Sequence, residues 1–109
     1  MEDNSLTRFT EGSAHFYIHE ADREEIPSKA MNVFYNKKMA INRDFTSLAV
    51  NAYRKRYEQE SLIVVDAMAA SGVGAIRLLK ECAPITRMHV NDLNPVAVDL
   101  IRKNLALND

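Results

Sequence analysis

Between Leu6 and Glu20, apolar and polar positions alternate about a Glu11-Gly12 turn dipeptide. In Ala14-His15-Phe16-Tyr17-Ile18-His19, Phe16 and Ile18 share one face while His15, Tyr17 and His19 share the other, which predicts a β-hairpin. Residues 20–32 are polar, include Pro27 and show no period, so a loop is expected there. A helical period follows: Phe45, Leu48, Ala49, Ala52 and Tyr53 form one stripe, with Asn42 as the expected N-cap and Asp44 in the first turn. Arg54, Lys55 and Arg56 complement the dipole at its far end, and read as a solvated helix end before an RNA patch. Leu62-Ile63-Val64-Val65-Asp66 is a short β-branched run suited to a buried parallel strand. Small residues fill 67–72. A helix is expected from Val73 through Ile76 and Leu79, ending before Pro84. Arg87-Met88-His89-Val90-Asn91 reads as a second strand. Asn94-Pro95 then opens a last helix, with Asn as cap and Pro in the first turn, and with Ala97, Leu100, Ile101 and Leu105 on its apolar face.

From residue 62 the order is strand, helix, strand, helix, the opening βαβα of a Rossmann-like α/β fold with a parallel sheet. Residues 1–58 are expected to form an N-terminal extension of hairpin, loop and helix, and residues 59–109 an incomplete nucleotide-binding domain. Composition adds exclusions. The 109 residues are 47% hydrophobic and 27% charged, ordinary for globular protein. The net charge of -1 provides no general basic field for nucleic acid. A single cysteine, Cys82, excludes an internal disulfide framework and suits a reducing, cytoplasmic setting. No apolar run approaches the roughly 20 residues of a membrane span, and Met1-Glu2-Asp3-Asn4 does not resemble a signal peptide. His15 and His19 lie four apart on a strand with no third ligand nearby in sequence, so no metal site is expected.

A strand, a small-residue loop and a helix N-terminus let a ligand approach the backbone closely. The dinucleotide spacing G-x-G-x-x-G fails, because Gly72-Val73-Gly74-Ala75-Ile76-Arg77 ends on arginine where close helix–strand packing needs a glycine. Asp92, 20 residues after Gly72 at the end of the second strand, stands where an acid accepts hydrogen bonds from both hydroxyls of an adenosine ribose. That geometry serves NAD and S-adenosylmethionine alike. The bland alternative is a residue flanking the Asn94 cap. Arg43 sits in the first turn of its helix, where a cation opposes the dipole, and this suggests a separate anionic partner or a neighbouring acid.

These residues also carry a family resemblance. Asp66-Ala67-Met68-Ala69-Ala70-Ser71-Gly72 resembles the first motif of class I S-adenosylmethionine methyltransferases acting on RNA, and 90–98 with 101–108 is similar to their second motif and following helix. Val33-Phe34-Tyr35-Asn36-Lys37-Lys38-Met39-Ala40-Ile41-Asn42-Arg43-Asp44 resembles the signature block of the tRNA (guanine-26-N2)-dimethyltransferases, and Glu11-Gly12-Ser13-Ala14 resembles their opening. The resemblance implies methyl transfer from S-adenosyl-L-methionine to the exocyclic N2 of guanine 26 in tRNA. It implies cofactor contacts for Arg43 and Asp66 at the aminoacyl end, Ser71 and Gly72 in the loop, and Asp92 at the ribose. Two positions depart from the family pattern: Lys37 replaces a proline, and Gly74 replaces an arginine whose contact, if any, passes to Arg77 or is lost. Arg77 is therefore counted with the cofactor set, its alternative being the exposed side of its helix. The family's catalytic Asp-Pro-Phe/Tyr-Gly block is absent, so the expectation is an N-terminal fragment, inactive alone, whose catalytic and tRNA-gripping parts lie beyond Asp109. The alternatives are another class I tRNA guanine methyltransferase, and a non-catalytic or decayed nucleotide-binding fragment.

Overall fold

A computed structural model describes residues 5–23 and 31–109. The expected loop over 20–32 falls largely outside these; within them, Glu20–Asp22 forms a single 3-10 turn. Strands β1 (Leu6–Glu11) and β2 (Ala14–His19) pair antiparallel, with Phe9 opposite Phe16 and Glu11 opposite Ala14. Gly12 makes the turn at φ 55°, a left-handed conformation in which glycine has no side-chain penalty. The inner face of β2 is the alternating set that the sequence predicts: Ala14, Phe16 and Ile18 are buried.

Helix α1 spans Ala40–Arg56, two residues ahead of the expected Asn42 cap. A 3-10 turn at Lys37–Met39 leads into it, and the Asn36 side chain caps that turn by accepting from the Lys38 N–H. A larger departure concerns its faces. The apolar stripe points outward: Phe45 and Leu48 are each 64% exposed, whereas Ser47 is buried and Asn51 and Arg54 are half-buried. The polar face has specific partners on the next helix: Ser47 donates to Glu81 Oε1 at 3.0 Å, and Asn51 Nδ2 donates to the Glu81 carbonyl at 3.1 Å. A hydrogen-bonded polar face can be buried at little cost, so periodicity located the helix but not its inner side.

Strand β3 (Leu62–Asp66), helix α2 (Val73–Glu81), strand β4 (Ile85–Val90) and helix α3 (Pro95–Leu107) follow in the predicted order. β3 and β4 pair in parallel, with Asp66 opposite Val90. Asn94 caps α3 through its side chain, accepting from the Val96 N–H at 3.0 Å, with Pro95 in the first turn. α2 and α3 lie between the parallel pair and the hairpin. One core cluster joins Phe16 and Ile18 to Val73 and Ile76; a second joins Val33 to Ala97 and Leu100. The helices cover one face of β3 only, and Ile63 and Val65 on the other are about two-thirds exposed, at 65% and 66%. The apolar run predicted a strand buried on both sides; among the described residues nothing covers the second. No helix among them is long and apolar enough to cross a membrane.

Two asparagines attach the hairpin to α3. The Asn104 amide accepts from the Tyr17 N–H at 2.6 Å and donates to the Tyr17 carbonyl at 3.2 Å and the Ser71 carbonyl at 2.8 Å. Asn108, one turn on, pairs in the same way with the N–H and carbonyl of His15. Spacing of i, i+4 on the helix thus matches i, i+2 on the strand, and the open edge of β2 is capped by side chains instead of a third strand.

Candidate cofactor-binding site

The site forms where β3 and β4 end. After Asp66 the chain turns through 67–72. Asn91 N–H donates to the Asp66 carbonyl and Ala69 N–H to the Asn91 carbonyl, both at 2.9 Å, so the two strand ends remain in step. Ala70 and Gly72 both take positive φ, 51° and 84°. At Gly72 a side chain would be strained by that conformation, and its Cβ would sit 3.4 Å from Ile101 Cγ1. This turn brings the backbone over the start of α2.

Asp92 carries the loop's other anchor. One of its oxygens accepts from the Ala70 N–H and the other from the Asn94 N–H, each at 2.9 Å. An ionised carboxylate has about four acceptor positions, so both oxygens retain capacity for a ligand. The cap-flanking role and the ligand role are therefore compatible. Asp92 lines a cavity of about 470 Å³ together with Asn32, Phe34, Ala70 and Ala97. Buried Asp22 keeps the near wall in place by accepting from the N–H groups of Asn32 (2.9 Å) and Val33 (3.2 Å).

Phe34 and Ala70 also line a second cavity of about 230 Å³, which contains Arg43, Asp66, Ser71 and Gly74. The two cavities adjoin at the strand ends with Phe34 and Ala70 as shared walls; Asp92 lines one, and Asp66 and Arg43 line the other. Burial raises the Asp66 pKa, the Asp92 charge adds to the rise, and a hydrogen bond from the Met68 backbone opposes it. A half-buried carboxylate under like-charge pressure favours a cationic ligand group. Arg43 offers the opposite sign. Its Nε and Nη2 donate to the two oxygens of Glu11, both at 2.7 Å, its Nη2 also reaches the Asn36 carbonyl at 3.1 Å, and its guanidinium carbon lies 5.2 Å from the Tyr35 ring centroid. A Cβ at Gly74 would lie 3.9 Å from both Arg43 Cδ and Asp66 Oδ2, so the glycine leaves the space between them open.

Of the six expected residues, Arg43, Asp66 and Ser71 line one cavity and Asp92 the adjoining one. Gly72 shapes the loop from behind. Arg77 lines neither. It is neither solvent-exposed nor at the loop: only 4% exposed, it meets Glu11 (3.2 Å), Asp44 (2.6 Å) and Glu81 (2.9 Å). Arg77 lies on the same side of α2 as Gly74 but one turn further from the loop, where Glu11, Asp44 and Glu81 hold its guanidinium. Sequence reasoning missed Phe34 and Tyr35 as walls, Asn104 as the loop's support and Glu11 as the partner of Arg43. Asn104 left a signal, since asparagine is a poor helix-interior residue.

The donor set suits a zwitterion joined to an adenosine: an acid for ribose hydroxyls at one end, an acid and an arginine for an amino acid's two charges at the other. Residues 12–109 match the model of the family described as N2,N2-dimethylguanosine tRNA methyltransferase. The tRNA (guanine(26)-N(2))-dimethyltransferase of Metallosphaera sedula is 42% identical over 107 residues, covering 94% of this chain and 26% of that relative. The enzyme of the same name from Methanosphaera stadtmanae is 36% identical over 88 residues, covering 81% and 22%. The structure of Trm1 from Pyrococcus horikoshii with S-adenosyl-L-methionine superposes with a TM-score of 0.74 at 32% identity, over 95% of this chain and 24% of that one. The chain thus spans about a quarter of the length of the relatives that it matches.

Proposed function

The chain belongs to the N2,N2-dimethylguanosine tRNA methyltransferase family, and from that premise we propose that its cleft holds S-adenosyl-L-methionine for methylation of a tRNA guanine at N2, guanine 26 being the reading closest to its relatives. The observation that carries this is the pair Asp66 and Asp92 at the ends of adjacent parallel strands, lining adjoining cavities, with Arg43 beside Asp66. Asp92 would accept from the ribose hydroxyls with the acceptor capacity that its two backbone bonds leave. Asp66 would receive the ammonium, and Arg43 the carboxylate. Ser71 and Gly72 would form the loop over the aminoacyl part, and the open space at Gly74 admits it. When bound, the cofactor supplies an electrophilic methyl group on a sulfonium. These side chains fix its two charged ends, and fixed orientation is worth much of a methyl-transfer barrier.

The guanine amine needs an acceptor to hold it, and we assign that role to none of the described residues. The 109 residues alone are therefore expected to bind cofactor without methylating tRNA. Acting on tRNA would place the chain in the reducing interior of the cell, in keeping with Cys82 as a free, buried thiol. The test is titration with S-adenosylhomocysteine, the unreactive product form, by calorimetry. Asp92→Ala should weaken binding about tenfold or more, as loss of charge-assisted hydrogen bonds requires. Unchanged affinity in that variant, or no binding by the unaltered chain, would overturn the reading.

A further inference from the structure

Glu11 lies in the hairpin, outside the cleft, yet its carboxylate accepts four side-chain hydrogen bonds. Its side chain is 8% exposed. Arg43 grips both of its oxygens side-on at 2.7 Å, the Tyr35 hydroxyl donates to Oε1 at 3.0 Å, and Arg77 Nη1 donates to Oε2 at 3.2 Å. Arg77 is fixed in turn by Glu81 and Asp44. The hairpin tip is pressed against this cluster: a Cβ at Gly12 would come within 2.9 Å of the Arg77 guanidinium, and Ser13 Oγ donates to Glu81 Oε2 at 2.7 Å.

We propose that Glu11 is a positioning residue for the cofactor's carboxylate, acting through Arg43, with Arg77 as its anchor; this rests on the cofactor reading above. Glu11 and the Asn36 carbonyl occupy Nε and Nη2 of Arg43, and Tyr35 lies against its face. Arg43 also borders the cleft beside Asp66. The guanidinium is a rigid fork, so fixing one edge and laying one face on Tyr35 determines where the remaining donors point. The contribution is geometric, because the cluster sets three carboxylates (Glu11, Asp44, Glu81) against two guanidiniums and so adds no net attraction for an anion. Freed from Glu11, Arg43 would carry several rotatable bonds into the cleft, and a ligand would have to order them on binding.

The test compares two ligands that share the adenosine and thioether. S-adenosylhomocysteine carries the amino acid end; 5′-methylthioadenosine lacks it. In Glu11→Gln, which removes the charge and one acceptor while keeping the side chain's size, S-adenosylhomocysteine should weaken about tenfold. Methylthioadenosine should change by less than about twofold, since its partners lie at the Asp92 end. A merely structural role would weaken both ligands alike, and equal losses or no loss for either overturn the proposal. Tyr35→Phe, which removes one hydrogen bond to Glu11 and keeps the ring beneath Arg43, should show the same preference at about two- to threefold. If Glu11→Gln is unfolded at the assay temperature, the Tyr35→Phe ratio decides, and a ratio of one overturns the proposal. Failure of the unaltered chain to bind either ligand would instead overturn the cofactor reading itself.

Discussion

Glu81 shows how much a single side chain can be asked to do. It receives Arg77, Ser13 and Ser47, and so links the hairpin, α1 and α2. The Arg77 hydrogen bonds bring its pKa down from 4.5 to about 2, against the opposing effect of burial and with help from the two serines. Its folded pKa is depressed, so the stability it contributes is complete above its unfolded value of 4.5 and is lost as pH falls toward about 2. Glu11 shifts in the same direction: burial alone would raise its pKa, but Arg43, Tyr35 and Arg77 together outweigh that. Urea midpoints should therefore fall between about pH 5 and about pH 2. Glu81→Gln should start lower and show a flatter profile, and an equally steep one would mean that other acids dominate. The sequence offered little warning of this cluster. Glu11 and Arg77 are 66 positions apart, and nothing local to either names the other. Arg43 was more readable, because a cation in a first turn is out of place unless an anion waits for it.

At the level of elements, local chemistry determined what could be read. The Asn94-Pro95 start of α3, the turn at Gly12 and the β3 run all depend on neighbours a few residues away, and all are found where expected. Helix α1 depended on what it packs against. Its apolar stripe invited an inward assignment, but its hydrogen-bonding face meets Glu81 and Cys82 instead. The asparagine clip between α3 and β2 is similarly long-range, and it also supports the loop 67–72 at the Ser71 carbonyl. Asn104 is fully buried. Asn104→Ala would strand the Tyr17 N–H and two carbonyls, at a cost of about 3 kcal/mol in total. Chemical denaturation should show that loss, together with weaker cofactor binding from a loosened loop. A change under about 0.5 kcal/mol would place the clip among exposed, replaceable bonds.

Over the whole molecule, the architecture assembles the two adjoining cavities from four separated stretches: residues 31–36, the start of α1 with the turn before it, residues 66–74, and the turn after β4 with the start of α3. The strand–helix–strand–helix order was legible because its periods are strong and its loops short. The cleft's two acids were legible because a parallel pair ends them on the same side. What could not be read was the contact from Glu11 of the hairpin to Arg43, which arises only when β2 docks on α2 and α3. The uncovered face of β3 belongs to the same scale, since a parallel sheet is ordinarily covered on both sides. The central claim is that the cleft between Asp92 and Arg43 receives the cofactor as one piece. Backbone amide NMR of the chain during titration with S-adenosylhomocysteine tests it most directly. The account predicts that the Ala70 and Asn94 amides, both bound to Asp92, shift together with that of Gly74 beside Arg43 and Asp66. Saturating shifts confined to other surfaces, with these three unmoved, would contradict it.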